Sequence, residues 1–211
     1  MSLSISYPCI VEGLYYIALT GLVIYGLHRI WLLFCMYRMR RGDALISKIL
    51  PSCDRNQSVT VQLPIYNERF VAARLLDSVV QFEWPSDRLE IQVLDDSTDD
   101  TKRIIDSRVK YWTKKGRSIK VLRRSNRKGF KAGALKEGLR HAKGDFIAIF
   151  DADFLPSPDF LTRTISYFAD PCVGMVQGRW GFLNTGHTWF TRIQALLLAP
   201  HFEIEHHVRY R

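Results

Sequence analysis

Asp151-Ala152-Asp153 sets two carboxylates two residues apart, directly behind the apolar run Phe146-Ile147-Ala148-Ile149-Phe150. Two such acids can converge on a hard cation, Mg²⁺ or Mn²⁺, and that cation can also hold a diphosphate. Standing alone, the pattern also fits a surface turn. The buried strand in front of it favours the cation, because it aims both acids into one crevice. A second acidic pair, Asp95-Asp96, closes the apolar run Leu89 to Leu94. It also fits an N-cap cluster for the following helix, a task open to Thr98 or Asp99. Two acidic pairs on two strand ends point to a shared site, where like charges need a cation or donor groups between them.

Gly129-Phe130-Lys131-Ala132-Gly133-Ala134-Leu135 is the third grouping. Its glycines let backbone approach a ligand, and Lys131 at a helix start can meet a phosphate or a base. The Walker spacing is missing, so it is no P-loop, and a plain loop-to-helix junction has the same look. His201, His206 and His207 stand with Glu203 and Glu205, but not as His-Glu-x-x-His, so an interfacial or amphipathic helix is expected there rather than a metal cluster.

Alternating strands and helices must position these groups. Strands are expected at Ser58–Leu63, closed by Pro64, and at Leu89–Leu94, Ile119–Leu122, Phe146–Phe150 and Val173–Val176. Helices are expected at Phe70–Gln81, Asp99–Lys115 and Lys131–Ala142. Another starts at Ser157-Pro158-Asp159, with Ser as N-cap and Pro at the first helical position, and Thr188–Tyr210 is helical with a bend at Pro200. Such alternation implies an α/β fold with a parallel sheet covered on both faces, and ligands bind beyond the carboxyl ends of its strands. The acidic pairs lie at those ends.

Upstream, Gly13 to Leu27 is uncharged and apolar, His28 and Arg29 interrupt it, and Ile30 to Tyr37 resume it. As a helix, residues 13–37 would extend about 37 Å, enough for a hydrocarbon core of about 30 Å. A signal peptide would carry basic residues at its start, and Met1 to Glu12 has none; a buried core helix is the other reading. Arg38, Arg40, Arg41 and Lys48 follow the run and no Lys or Arg precedes it. The positive-inside rule then places the N-terminus outside and everything after Tyr37 in the cytoplasm. The expected organisation is a membrane segment at 1–41, a polar linker at 42–57 and one domain at 58–211.

The net charge of +9 is concentrated: residues 102–143 hold sixteen Lys/Arg against Asp106 and Glu137. A basic block can meet nucleic acid, anionic lipid or a phosphorylated small molecule. This one lies inside strand and helix patterning, not on a tail, so much of it is expected to be a solvated face, and nucleic acid is not an expected partner. The four cysteines form no Cys-x-x-Cys pair, which excludes a disulfide framework or a zinc site and fits a reducing compartment.

Pro64-Ile65-Tyr66-Asn67-Glu68, Leu94 to Asp99, Lys131 to Leu135, Phe150 to Asp153 and Val176-Gln177-Gly178-Arg179-Trp180 occur in that order. The series resembles the family-2 processive glycosyltransferases of the cellulose synthase superfamily, most closely the glucomannan and glucan synthases through Trp84 to Arg88 and Asp95 to Thr101. The resemblance covers Val59 to about Tyr210. It implies a GT-A fold, a Rossmann-like mixed sheet. It also implies a metal-dependent, inverting transfer of a hexose from UDP-glucose or GDP-mannose to a growing β-glycan at the membrane. Tyr66 and Glu68 would line the nucleotide pocket, Asp95 or Asp96 would bind base or ribose, and Lys131 would contact the nucleotide. Asp151 and Asp153 would hold the diphosphate through the metal, Asp153 more directly. The family's Thr-Glu-Asp-like base motif and its Gln-x-x-Arg-Trp lie further downstream than Arg211. The domain is therefore expected to be C-terminally incomplete, and the chain alone inactive in transfer. Gln177-Gly178-Arg179-Trp180 is one residue too short and too early to be the latter motif.

Three other readings stand beside this one. A haloacid-dehalogenase-type phosphatase places its Asp-x-Asp near the first strand, with Thr or Val where Leu155 stands here. A dolichol-phosphate sugar synthase would share the donor half, and a non-catalytic remnant would only bind nucleotide.

Overall fold

The computed structural model describes residues 7–46 and 56–200. Packing divides the chain into two units, residues 51–176 and a second made of residues 1–50 with 177–211.

In the second unit, helix α1 runs from Tyr7 to Ile46. It starts ahead of the apolar run and continues past Tyr37 into the first residues of the expected linker. Pro8–Cys35, 28 residues with a mean hydropathy of 1.7, is long and apolar enough to cross a membrane. Arg29 donates to Tyr25 Oη from Nε at 2.9 Å and from Nη2 at 2.7 Å, one helical turn away. The expected helix at Thr188–Tyr210 is present over Trp189–Pro200 (α6). Its continuation, the histidines and the Pro200 bend lie outside the described residues.

In the first unit, β1 (Val59–Ile65), β2 (Leu89–Asp95), β3 (Ile119–Leu122) and β4 (Phe146–Ile149) form a parallel sheet in the order β3-β2-β1-β4. Helices α2 (Ala72–Val79), α3 (Thr101–Lys114) and α4 (Phe130–His141) connect them, and α5 (Phe160–Ile165) follows β4. Side chains alternate across the strands. Val59, Val61, Leu63, Ile65, Ile91 and Val93 join Leu75, Leu76 and Ile105 in one buried core. Sealing a leucine there is worth about 1.5–3 kcal/mol. On the other face of β1 and β2, Thr60, Gln62, Glu90 and Gln92 form a buried polar layer. Thr60 Oγ1 donates to Glu90 Oε2 at 3.0 Å and Gln62 Nε2 to Gln92 Oε1 at 3.1 Å. Helix α4 lies over that polar layer through Gly138, where an added Cβ would stand 2.7 Å from Gln62 Nε2 and 2.8 Å from Leu94 Cδ2.

β4 joins the far side of β1 through a short polar lock. Gly144 N–H donates to Thr60 Oγ1 at 2.9 Å, Lys143 N–H to Glu90 Oε2 at 3.0 Å, and Ser58 N–H to Asp145 Oδ2 at 2.9 Å. A Cβ on Gly144 would lie 2.3 Å from Thr60 N, so the close approach demands glycine.

Three expectations need correction. Pro64 does not close β1 but lies inside it, in register with Leu94. Its missing N–H faces the side that β4 has already left, where the last contact is Phe150 N–H to Gln62 O at 3.2 Å. No strand forms at Val173–Val176. Asp170 captures that segment in a turn, accepting Cys172 N–H at its carboxylate (2.9 Å) and Val173 N–H at its carbonyl (3.0 Å). Ser157 does not cap α5; its hydroxyl donates to Asp159, which takes the N-cap position.

Candidate active site

Because the four strands are parallel, their C-terminal ends share one edge of the sheet. The chain runs outward from β1 to β3 and then returns to place β4 on the other side of β1. The topological switch point therefore lies between β1 and β4, where open α/β sheets form their ligand crevice. Tyr66 follows one of these strands and Asp151 the other.

Past the last pairing of β4, Asp151-Ala152-Asp153 enters a turn in which Phe154 N–H donates to the Asp151 carbonyl at 3.0 Å. Phe150 and Ala152 are buried, with Phe150 packed against Phe82 and Phe160. Asp151 is half-buried and Asp153 exposed. Lys131, in the first turn of α4, donates its ammonium to Asp151 Oδ1. Asp153 holds Arg74 through its backbone carbonyl at 3.3 Å. Among the described residues no three His, Cys, Asp or Glu gather as a complete metal cage. A pair of carboxylates is nonetheless the protein share that Mg²⁺ commonly takes when phosphate oxygens and waters supply the rest. The donor set fits such a cation.

The second acidic pair is differently placed. The Asp95 side chain is fully buried. It accepts from Arg123 Nε at 2.7 Å and from Ser97 N–H at 3.0 Å. Both oxygens of Asp96 are taken by Arg124, Nε at 3.0 Å and Nη2 on the other. The two arginines directly after β3 thus supply the positive charge that two adjacent acids need. Burial works against the Arg123 charge, yet its bonds to Asp106 and Asp95 hold its pKa above the ordinary value. For Arg124 the bond to Asp96 is the larger influence, burial opposes it, and the net shift is again upward.

At the end of β1, Asn67 adopts a left-handed backbone with φ 56°. Asparagine tolerates that region when its side chain bonds locally. Here Oδ1 accepts Thr98 N–H at 2.8 Å, while Asn67 N–H donates to Ser97 Oγ at 3.0 Å. The bend leaves the Tyr66 ring 38% exposed, with the Arg127 guanidinium stacked on it. The Glu68 carbonyl accepts from Val71 and Ala72 N–H and starts α2, and its side chain is exposed. Asp99 accepts Thr101 N–H at 3.0 Å, but the N-cap position of α3 belongs to Asp100, so neither Thr98 nor Asp99 caps it.

Lys131 and Asp151 are thus brought together, and Asp96 connects to them through Arg124. Arg123, Arg124 and Arg127 carry no motif of their own in the sequence, and Asn67 has no role there beyond its place in Pro64–Glu68. Two consecutive arginines after the next strand were the available signal, because a buried acidic pair must find its counter-charge nearby.

The pattern of the family described as Glycosyl transferase family 2 matches residues 60–210. The chain belongs to glycosyltransferase family 2. This family-2 chain is 49% identical over 152 residues to a probable glucomannan 4-beta-mannosyltransferase 3 of Oryza sativa subsp. japonica, covering 70% of this chain and 28% of that protein. It is 46% identical over 155 residues to glucomannan 4-beta-mannosyltransferase 7 of Arabidopsis thaliana, covering 71% and 28%. The family-2 chain therefore spans little more than a quarter of the length of these relatives. In fold it is similar to the mannosyltransferase PcManGT of Pyrobaculum calidifontis, solved with GDP-Man and Mn²⁺, at a TM-score of 0.57 and 33% identity, covering 68% of this chain and 41% of that one.

Proposed function

We propose that the chain carries the donor-binding part of a membrane-anchored, metal-dependent transferase that moves mannose from GDP-mannose onto a growing β-glycan. The observation that carries this reading is the Lys131–Asp151 contact, with the exposed Asp153 carboxylate two residues on. The names of the relatives support mannose, and the GDP-Man and Mn²⁺ of the similar solved structure support that donor and a divalent cation.

Tyr66 offers its ring to the nucleoside, and Glu68 lines the same pocket. Asp95 and Asp96 fix the floor beside it through their arginine partners. Lys131 keeps a positive charge at Asp151, placed to meet an oxygen of the arriving diphosphate. Asp151 and Asp153 would hold Mg²⁺ or Mn²⁺, which supplies neutralisation of the charge that builds on the departing diphosphate. Transfer then inverts the anomeric centre in one displacement: the acceptor oxygen bonds the anomeric carbon as the bond to the nucleoside diphosphate breaks, the diphosphate leaves with the electron pair, and the acceptor's proton passes to a base outside the described residues. No residue described here is assigned as the base. The apolar stretch Pro8–Cys35 anchors the chain, and the Arg/Lys that follow it put the site in the cytoplasm.

Calorimetry on the whole chain in detergent micelles tests the donor. GDP is expected to bind with Mn²⁺ and to weaken when Mn²⁺ is chelated, with UDP weaker than GDP. UDP binding in preference to GDP would replace mannose by glucose as the sugar, and no binding of either nucleotide would overturn the reading.

A further inference from the structure

One half-buried side chain, that of Arg124, holds the turn that delivers Lys131. Besides its two bonds to Asp96, Arg124 donates from Nη1 to the Lys128 carbonyl at 2.9 Å and from Nη2 to the Phe130 carbonyl at 3.0 Å. Its side chain is 15% exposed and that of Asp96 8%, so this is a half-buried junction rather than a fully solvated surface pair. The turn is one that local preference disfavours. Gly129 and Phe130 stand at φ 74° and φ 48°, and a bulky residue in the left-handed region is held there only by its surroundings. The Phe130 ring is 66% exposed, so core packing does not hold it. Gly133 belongs to the same arrangement, since a Cβ there would lie 2.1 Å from the Lys128 carbonyl oxygen and 2.7 Å from Arg124 Nη1.

We propose that Arg124 is a positioning residue of the donor site. Anchored on Asp96, it clamps the 128–130 backbone so that Lys131 is presented to Asp151. The proposal rests on the donor-site reading above and adds a role for the Asp96–Arg124 pair within it. Asp96 acts through the arginine and holds the shape of the turn. Lysine at 124 would keep a charge beside Asp96, but a single ammonium cannot reproduce the planar fork that meets two carboxylate oxygens and two carbonyls.

The test uses the whole chain in micelles, with amide hydrogen exchange and Mn²⁺-dependent GDP titration on wild type, Arg124→Lys, Lys131→Ala and the double variant. Arg124→Lys is expected to speed exchange across residues 127–133 while leaving 59–65 and 89–95 protected. It is expected to weaken GDP by about tenfold or more, as loss of a supporting shell does. Because both residues act through one contact, the double variant should bind little worse than Lys131→Ala alone. Unchanged exchange in 127–133, or losses that simply multiply, would overturn the clamp. Asp96→Asn removes the anchor but keeps the arginine and should loosen the same seven residues less. If both substitutions instead expose the whole sheet, Arg124 is a general stability residue and the proposal fails. A wild-type chain that binds no GDP counts against the donor site, and the exchange data then decide the clamp by themselves.

Discussion

The guanidinium carbon of Arg127 lies 3.3 Å from the centroid of the Tyr66 ring and 5.1 Å from that of Phe130. Arginine stacked on an aromatic face keeps its donors at the rim, so Tyr66 presents a flat, positively edged platform at the end of β1. Base stacking on such a ring is worth about 1–3 kcal/mol. Tyr66→Ala should therefore weaken GDP binding by about tenfold, while Tyr66→Phe, which keeps the ring, should change it little. Titration of both variants checks this, and equal affinity for Tyr66→Ala and wild type would remove Tyr66 from the pocket.

Glu90 gives the fold an acid-sensitive junction. Burial pushes its carboxyl up, but Lys120, the Lys143 N–H and the Thr60 hydroxyl together hold it below the ordinary 4.5. A carboxyl depressed in the folded state adds stability that is full above its unfolded value and is lost as pH falls through the folded one. Thermal unfolding should show Glu90→Gln well below wild type at neutral pH, with the gap closing at pH values under 4.5. A gap that stays constant with pH would show that Glu90 acts by shape and not by charge.

Gly144 admits no side chain, because the groups its Cβ would strike are the Thr60 and Val59 backbone. Overpacking of this kind costs about 1–3 kcal/mol or more. Gly144→Ala should lower the unfolding temperature by several degrees, whereas Gly116→Ala, with φ 81° but open space around it, should cost only backbone strain. If Gly144→Ala melted with wild type, the close docking of β4 on β1 would be in error.

Under the proposed function, the run of Arg38, Arg40, Arg41 and Lys48 after the apolar segment would orient the chain by the positive-inside rule. A reporter fused after Ile49 should be cytoplasmic and open to cytosolic protease in intact cells. Protection of that reporter would reverse the orientation and remove the site from the compartment assigned to it.

The sequence made the strand–helix alternation, the four described strands and the acidic strand ends legible because each depends on short-range pattern: apolar runs, turn residues and helix starts. It did not reveal that β4 returns to the far side of β1, since that choice depends on contacts between Ser58, Thr60, Glu90 and residues 143–145. Pro64 inside β1 was missed for the same reason, as its position is harmless only where β4 has departed. Val173–Val176 has strand-like residues, but Asp170 captures the chain first. The arginines were the larger omission. By composition, residues 102–143 read as solvated charge, and only the structure shows Arg123 and Arg124 serving Asp95 and Asp96, and Arg127 lying on Tyr66.

In the proposed donor site, Asp151 and Asp153 hold a cation and, with it, the diphosphate of a nucleotide sugar. Titrating GDP into wild type and Asp153→Ala, each with and without Mn²⁺, tests it most directly. Mn²⁺ should strengthen GDP binding to wild type, Asp153→Ala should lose about 10–100-fold of that affinity, and Mn²⁺ should then make little difference. Mn²⁺-dependent GDP binding left unchanged by Asp153→Ala would contradict it.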